Sequence, residues 1–149
     1  MLSLDYASAM KVVINKCYGG FSLSPYAEIW LYQNGCKSLD VTPIDEYYTG
    51  SSLYFTKEKA LTEWHTFLQT GKYSGLFVTT LSADEKFVIN GRDVERHDPL
   101  LIQVVEEMGE KAEGPCANLR IIEIPDGTDY EVQEYDGMEW IAEKHQTWR

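Results

Sequence analysis

The sequence predicts an α+β single domain: a mostly antiparallel sheet of about five or six strands with about three helices packed against it. Three observations carry that prediction. The 149 residues match one domain, and 44% apolar with 13% aromatic residues suffice for a core of that size. Short β-branched runs bounded by glycine, proline and aspartate alternate with segments of helical periodicity. No stretch approaches the length of apolar run that spans a bilayer as a helix. The apolar content also excludes a disordered chain.

Residues 1–9 (MLSLDYASA) carry no pattern and are expected to form a flexible extension, with the domain over 10–149 and Met10 as an alternative start. KVVINK (11–16) is a β-branched run, hence a strand. CYGGFSLS (17–24) is a glycine-containing loop, after which Ser24 stands as N-cap and Pro25 at the first helical position. That helix runs to Asn34 and ends at Gly35; with Ala27, Ile29, Trp30 and Leu31 it is apolar on most sides and should be buried. Residues 36–52 show no periodicity and form the longest irregular segment, with a lid as one role left open.

Thr56 caps a helix over about 57–70, whose stripe is Ala60, Leu61, Trp64, Phe67 and Leu68, and Gly71 ends it. GLFVTTLS (75–82) and KFVIN (86–90) read as a hairpin turning at 83–85. Asp98 and Pro99 open the most strongly patterned helix, with Leu101, Val104, Val105, Met108 and Ala112 on one stripe and Gly114–Pro115 as the stop. NLRIIEI (118–124) is a strand, closed by Pro125–Asp126–Gly127. YEVQEY (130–135) and MEWIAE (138–143) make a hairpin around Asp136–Gly137, the pair that suits the two positive φ angles of a type I′ turn. Residues 138–145 also fit a helix; strand is preferred.

The net charge is −11, and it is unevenly placed. Residues 1–75 hold 7 acids and 6 bases, whereas 76–149 hold 17 acids and 7 bases. Such a second half repels a phosphate backbone, so direct nucleic-acid binding is not expected. It is either a solubilising surface or an acidic face for a basic partner. Cys17, Cys36 and Cys116 lack metal-ligand spacing and are odd in number, so neither a zinc site nor a disulfide framework is expected. No secretory signal pattern opens the chain, and a cytoplasmic setting is expected.

Chemistry is most readily placed at Asn15–Ser24, where a strand enters a glycine pair and then a helix N-terminus. Free N–H groups and the helix dipole favour an anion there. The ligand-binding candidates are Asn15, Lys16, Tyr18, Gly19, Gly20, Ser22 and Ser24, joined by Arg92 and Arg96 from a second cationic segment. The same residues also read as a tight turn with a helix cap, and as surface ion pairs. The loop is neither a P-loop nor a GxGxxG fingerprint. Cys17 beside Lys16 reads as a nucleophile or as an inert buried residue, and His97 is one histidine that would serve it. Glu106, Glu107, Glu110 and Glu113 read as the solvated face of their helix. Trp140, His145 and Trp148 read either as an aromatic contact surface or, for Trp140, as core. No metal site and no cofactor is expected.

An opening run and a closing run in two parts carry a resemblance. MKVVINKCYGGFSLS (10–24), together with DPLLIQVVEEMGEKA (98–112) and LRIIEIPDGTDYEVQEYDGMEWIAEKH (119–145), resembles a family of small uncharacterised proteins of tailed-phage and prophage genomes. The likeness covers roughly two-thirds of the chain and says least about residues 36–90. It implies a phage or bacterial cytoplasmic origin and brings no catalytic residue with it. The functional expectation is an accessory protein that acts by binding. It would inhibit a host protein, such as one of immune defence, or sequester a small anionic, nucleotide-like ligand. An enzyme acting on a phosphorylated substrate and a virion or assembly accessory are the alternatives, and the oligomeric state stays open.

Overall fold

Element order is β1 (Ala9–Asn15), α1 (Pro25–Gln33), β2 (Asp40–Pro43), β3 (Leu53–Phe55), α2 (Lys57–Thr62), β4 (Phe77–Thr79), β5 (Phe87–Asn90), α3 (Pro99–Met108) running into a 3-10 turn (Gly109–Ala112), β6 (Leu119–Pro125), β7 (Tyr130–Tyr135) and β8 (Met138–Glu143). The computed structural model describes residues 9–43, 53–64, 66, 69, 77–81 and 87–144. The class is α+β. Its strands are divided among three sheets, β1–β6, β2–β5–β4–β3 and β7–β8. All pairs are antiparallel except β3–β4, which is parallel.

Among the described residues the expected five or six strands become eight, because β2 and β3 escape sequence patterning. β2 lies inside the segment expected to be irregular and carries Pro43. It is an edge strand, where a missing N–H disturbs no second neighbour. Residues 44–52 of that segment, and the turn expected at 83–85, lie outside the described residues. So do His65, Phe67, Leu68 and Gly71 of the expected second helix. The first strand begins at Ala9, opposite Pro125, one residue before the expected domain boundary; residues 1–8 lie outside the described ones.

β1 buries Val12, Val13, Ile14 and Asn15 consecutively, the mark of a strand covered on both faces. One core cluster joins Val13 of β1, Leu23, Ala27 and Leu31 of the α1 region, Leu101, Val104 and Val105 of α3, and Leu119 of β6. A second joins Ile29 of α1 to Ala60 of α2 and Ile89 of β5. Serving both explains why α1 is apolar nearly all round. Ser24 accepts from the Ala27 N–H as its cap, and Gly35 takes φ +76° beyond its end. α3 starts as expected, with Asp98 accepting from the Leu100 N–H. It stops at Met108 rather than at Gly114, because Gly109 adopts φ +57° and redirects the chain into the 3-10 turn. Residues 138–143 form a strand, with Asp136 and Gly137 at φ +53° and +92° in the turn before it. No helix among the described residues is long and apolar enough to cross a membrane.

Candidate functional site

Residues 15–24 leave β1 and reach the N-terminus of α1, as their composition suggests, but most of their polar groups face other parts of the chain. Asn15 is fully buried. Its side-chain amide donates to the carbonyls of Cys17 (2.7 Å) and Gly137 (2.8 Å), and its Oδ1 accepts from the Asn118 N–H (2.8 Å). Its backbone N–H donates to Glu139 Oε1 at 2.8 Å. Ser24 is also fully buried; its hydroxyl caps α1 and donates to the Lys111 carbonyl at 2.6 Å. The Ser24 N–H in turn donates to the Ala112 carbonyl. The 3-10 turn therefore lies across the N-terminal end of α1, where an anion was expected.

Gly19 lets the chain close on itself rather than admit a ligand, whereas Gly20 serves its φ of +90°, with nothing within 4 Å of where a Cβ would stand. A Cβ on Gly19 would fall 2.1 Å from the Cβ of Cys116. One on Gly137, at the β7–β8 turn, would fall 2.4 Å from the Gly20 nitrogen and 2.7 Å from the Tyr18 carbonyl oxygen. Ser22 packs on Gly114 and donates a long 3.4 Å hydrogen bond to the Pro115 carbonyl. Of the polar candidates in the loop, Lys16 and Tyr18 remain exposed, Tyr18 at 61%.

Arg96 does converge on this loop, and Arg92 does not. The Arg96 guanidinium lies 3.6 Å from the Phe21 ring centroid and grips Glu139 with two hydrogen bonds of 2.6 and 2.8 Å. The Val13 N–H donates to the Arg96 carbonyl (2.8 Å) and the Arg96 guanidinium donates to the Val13 carbonyl (3.3 Å), which holds the segment along the edge of β1. Both charged side chains are largely buried, at 16% and 8% exposure, so the cation is neutralised where it sits. Arg92 is exposed, and its N–H turns back to Asn90. Glu139 is the residue that the sequence reading missed. In MEWIAE both Glu139 and Glu143 share strand parity with Ile141, and only Glu139 is buried, so alternation alone does not single it out.

Glu28 is the second missed residue, a lone acid on an otherwise apolar helix. It is buried, accepting from the Thr79 hydroxyl (2.5 Å) and the Gly91 N–H (2.7 Å). Burial pushes its carboxyl up to about 7, against the opposing pull of those two hydrogen bonds. It ties α1 to the four-stranded sheet. Burial likewise pushes the Cys36 thiol up, beside Ser38 and the Asp98 carboxylate that caps α3.

His97 turns away from Cys17. Its Nδ1 is 2.7 Å from the Tyr130 hydroxyl, and Glu95 lies 3.8 Å from its Nε2. The pair sits at one side of an open groove of about 740 Å³, whose other walls include Met10, Asp126–Val132 and Lys144. Burial raises the Tyr130 phenol, with Arg96 opposing. Among the described residues no three His, Cys, Asp or Glu side chains are grouped to hold a metal ion.

The outward face of β7–β8 is different in kind. Register places Glu131 opposite Ala142, Gln133 opposite Trp140 and Tyr135 opposite Met138 on that face. Tyr135 is 73% exposed and Trp140 43%, so Trp140 belongs to the surface and not to the core. His145 and Trp148, the other members of the expected aromatic surface, lie outside the described residues. No family model, no curated protein and no solved structure matches the chain.

Proposed function

We propose that this protein acts by binding, and that its target is a basic protein. The observation that supports this is the fate of the acids in residues 119–144: every one except Glu139 is exposed. Among the described residues of that stretch the exposed acids form one ion pair, Asp129 with Lys144 at 3.7 Å. A face of this sign attracts cationic surfaces and speeds their encounter. The alternative target, a small anionic ligand at residues 15–24, has less support, because the buried donors there are already engaged within the chain. Combined with the resemblance to phage and prophage proteins, the reading is an accessory protein that occupies a basic host protein, such as one that handles nucleic acid in host defence.

The test is affinity capture from bacterial lysate, with bound proteins identified at low salt and again as salt is raised from about 0.1 to about 0.5 M. The expected result is a basic protein retained at low salt and released at high salt. Capture of acidic partners alone, or a stabilising shift with nucleotides that Lys16→Ala abolishes, overturns it.

A further inference from the structure

Resting on the basic-partner reading above, we infer that the outward face of the β7–β8 hairpin is the docking surface, and that Trp140 and Glu131 together receive an arginine side chain of the partner. The side-chain period of a strand puts Glu131, Gln133 and Tyr135 of β7 on one face with Met138, Trp140 and Ala142 of β8. Trp140 stands directly across from Gln133, so Glu131 and Tyr135 are its two diagonal neighbours, within reach of a long side chain.

This face is held in one arrangement before any partner arrives. The Trp140 indole N–H donates to Gln133 Oε1 at 3.0 Å, which fixes the ring. The Gln133 amide then donates to Glu131 Oε1 at 2.9 Å, which fixes the carboxylate. The result is a chain of indole, amide and carboxylate in which the π-face of the ring and the second carboxylate oxygen are still open. A guanidinium matches both at once: it is planar, stacks on an indole, and donates to a carboxylate in its own plane. An ammonium offers a point charge and gains less from the stacking. Large exposed aromatics such as Tyr135 and Trp140 are the residues enriched at interface centres. Tyr135 extends the face toward the hairpin tip, which abuts the backbone of Tyr18 and Gly20.

The partner is therefore a protein whose basic surface presents arginine. The test uses the full chain and three short peptides of equal length, rich in arginine, in lysine, or in neutral citrulline. Binding is followed by the NMR signals of the backbone and of the indole N–H groups. The expected order is arginine over lysine, with citrulline inert, and with shifts concentrated on residues 131–142 and the Trp140 indole. Trp140→Ala and Glu131→Gln should each weaken arginine-peptide binding by about tenfold, and Tyr135→Ala by less. Melting temperatures equal to wild type show that these outward variants stay folded. If the arginine peptide binds but the shifts map to the exposed acids of α3, and Trp140→Ala binds as well as wild type, the docking assignment falls while the basic-partner reading stands. If no cationic peptide binds even at low ionic strength, that reading falls as well.

Discussion

Glu139 and Trp140 are neighbours on β8, and each occupies the environment the other would ordinarily take. The carboxylate is 6% exposed and the indole 43%. On the inner face three donors converge on Glu139, two from Arg96 and one from the Asn15 backbone, so the charge is matched where it is buried. On the outer face the indole has its N–H satisfied and its ring open to solvent. The difference teaches that partners, not polarity alone, decide which side of a two-stranded sheet a residue takes. A buried charge with complete partners behaves as structure. An exposed aromatic with its polar atom satisfied is available for recognition.

The comparison breaks most readily on the inner side. Glu139→Ala should cost about 3–5 kcal/mol, because it strands a buried guanidinium and an N–H together. Urea unfolding measures it, and a loss below about 1 kcal/mol would show the pair to be solvated instead. The next effect belongs to Glu28. Its carboxyl is raised by burial, so its contribution to stability is complete below the ordinary carboxylate range and is lost as pH climbs to about 7. The loss is about 3 kcal/mol. Glu28→Gln should flatten that fall in melts taken from pH 4 to pH 8, since the Thr79 hydroxyl can turn to accept from the new amide. Ser24→Ala, which removes the cap of α1, should cost about 1 kcal/mol. The smallest effect is on the outer side: Tyr135→Ala and Trp140→Ala should leave stability within about 0.5 kcal/mol of wild type while weakening partner binding.

What the sequence made legible is what neighbouring residues determine. Ser24–Pro25, Asp98–Pro99 and Asp136–Gly137 each set backbone angles within a few residues, and each stands where its chemistry predicts. Strands β2 and β3 were not legible, because three or four residues carry no usable periodicity and their pairing depends on β5 and β4. The loop at 15–24 was legible as a strand, a glycine turn and a capped helix. Its expected anion site was not resolvable from sequence, since what meets its donors comes from residues 111–118 and 137–139, more than eighty positions away. Arg96 lies against this loop, over the Phe21 ring, and its partner Glu139 could be identified only once β8 was known to run beside β1.

The pairing of β1 with β6 sets the order in which this chain can be completed. β1 leaves the ribosome well before its sheet partner, which spans 119–125, and before Glu139, the carboxylate that receives its last N–H. Until β6 is made, the run of Val12, Val13 and Ile14 has no sheet to join. Contacts of such long sequence separation are slow to form and leave apolar strand exposed meanwhile. The nascent chain thus carries this apolar strand uncovered until β6 and the β7–β8 hairpin emerge, and those later strands are the ones that cover it.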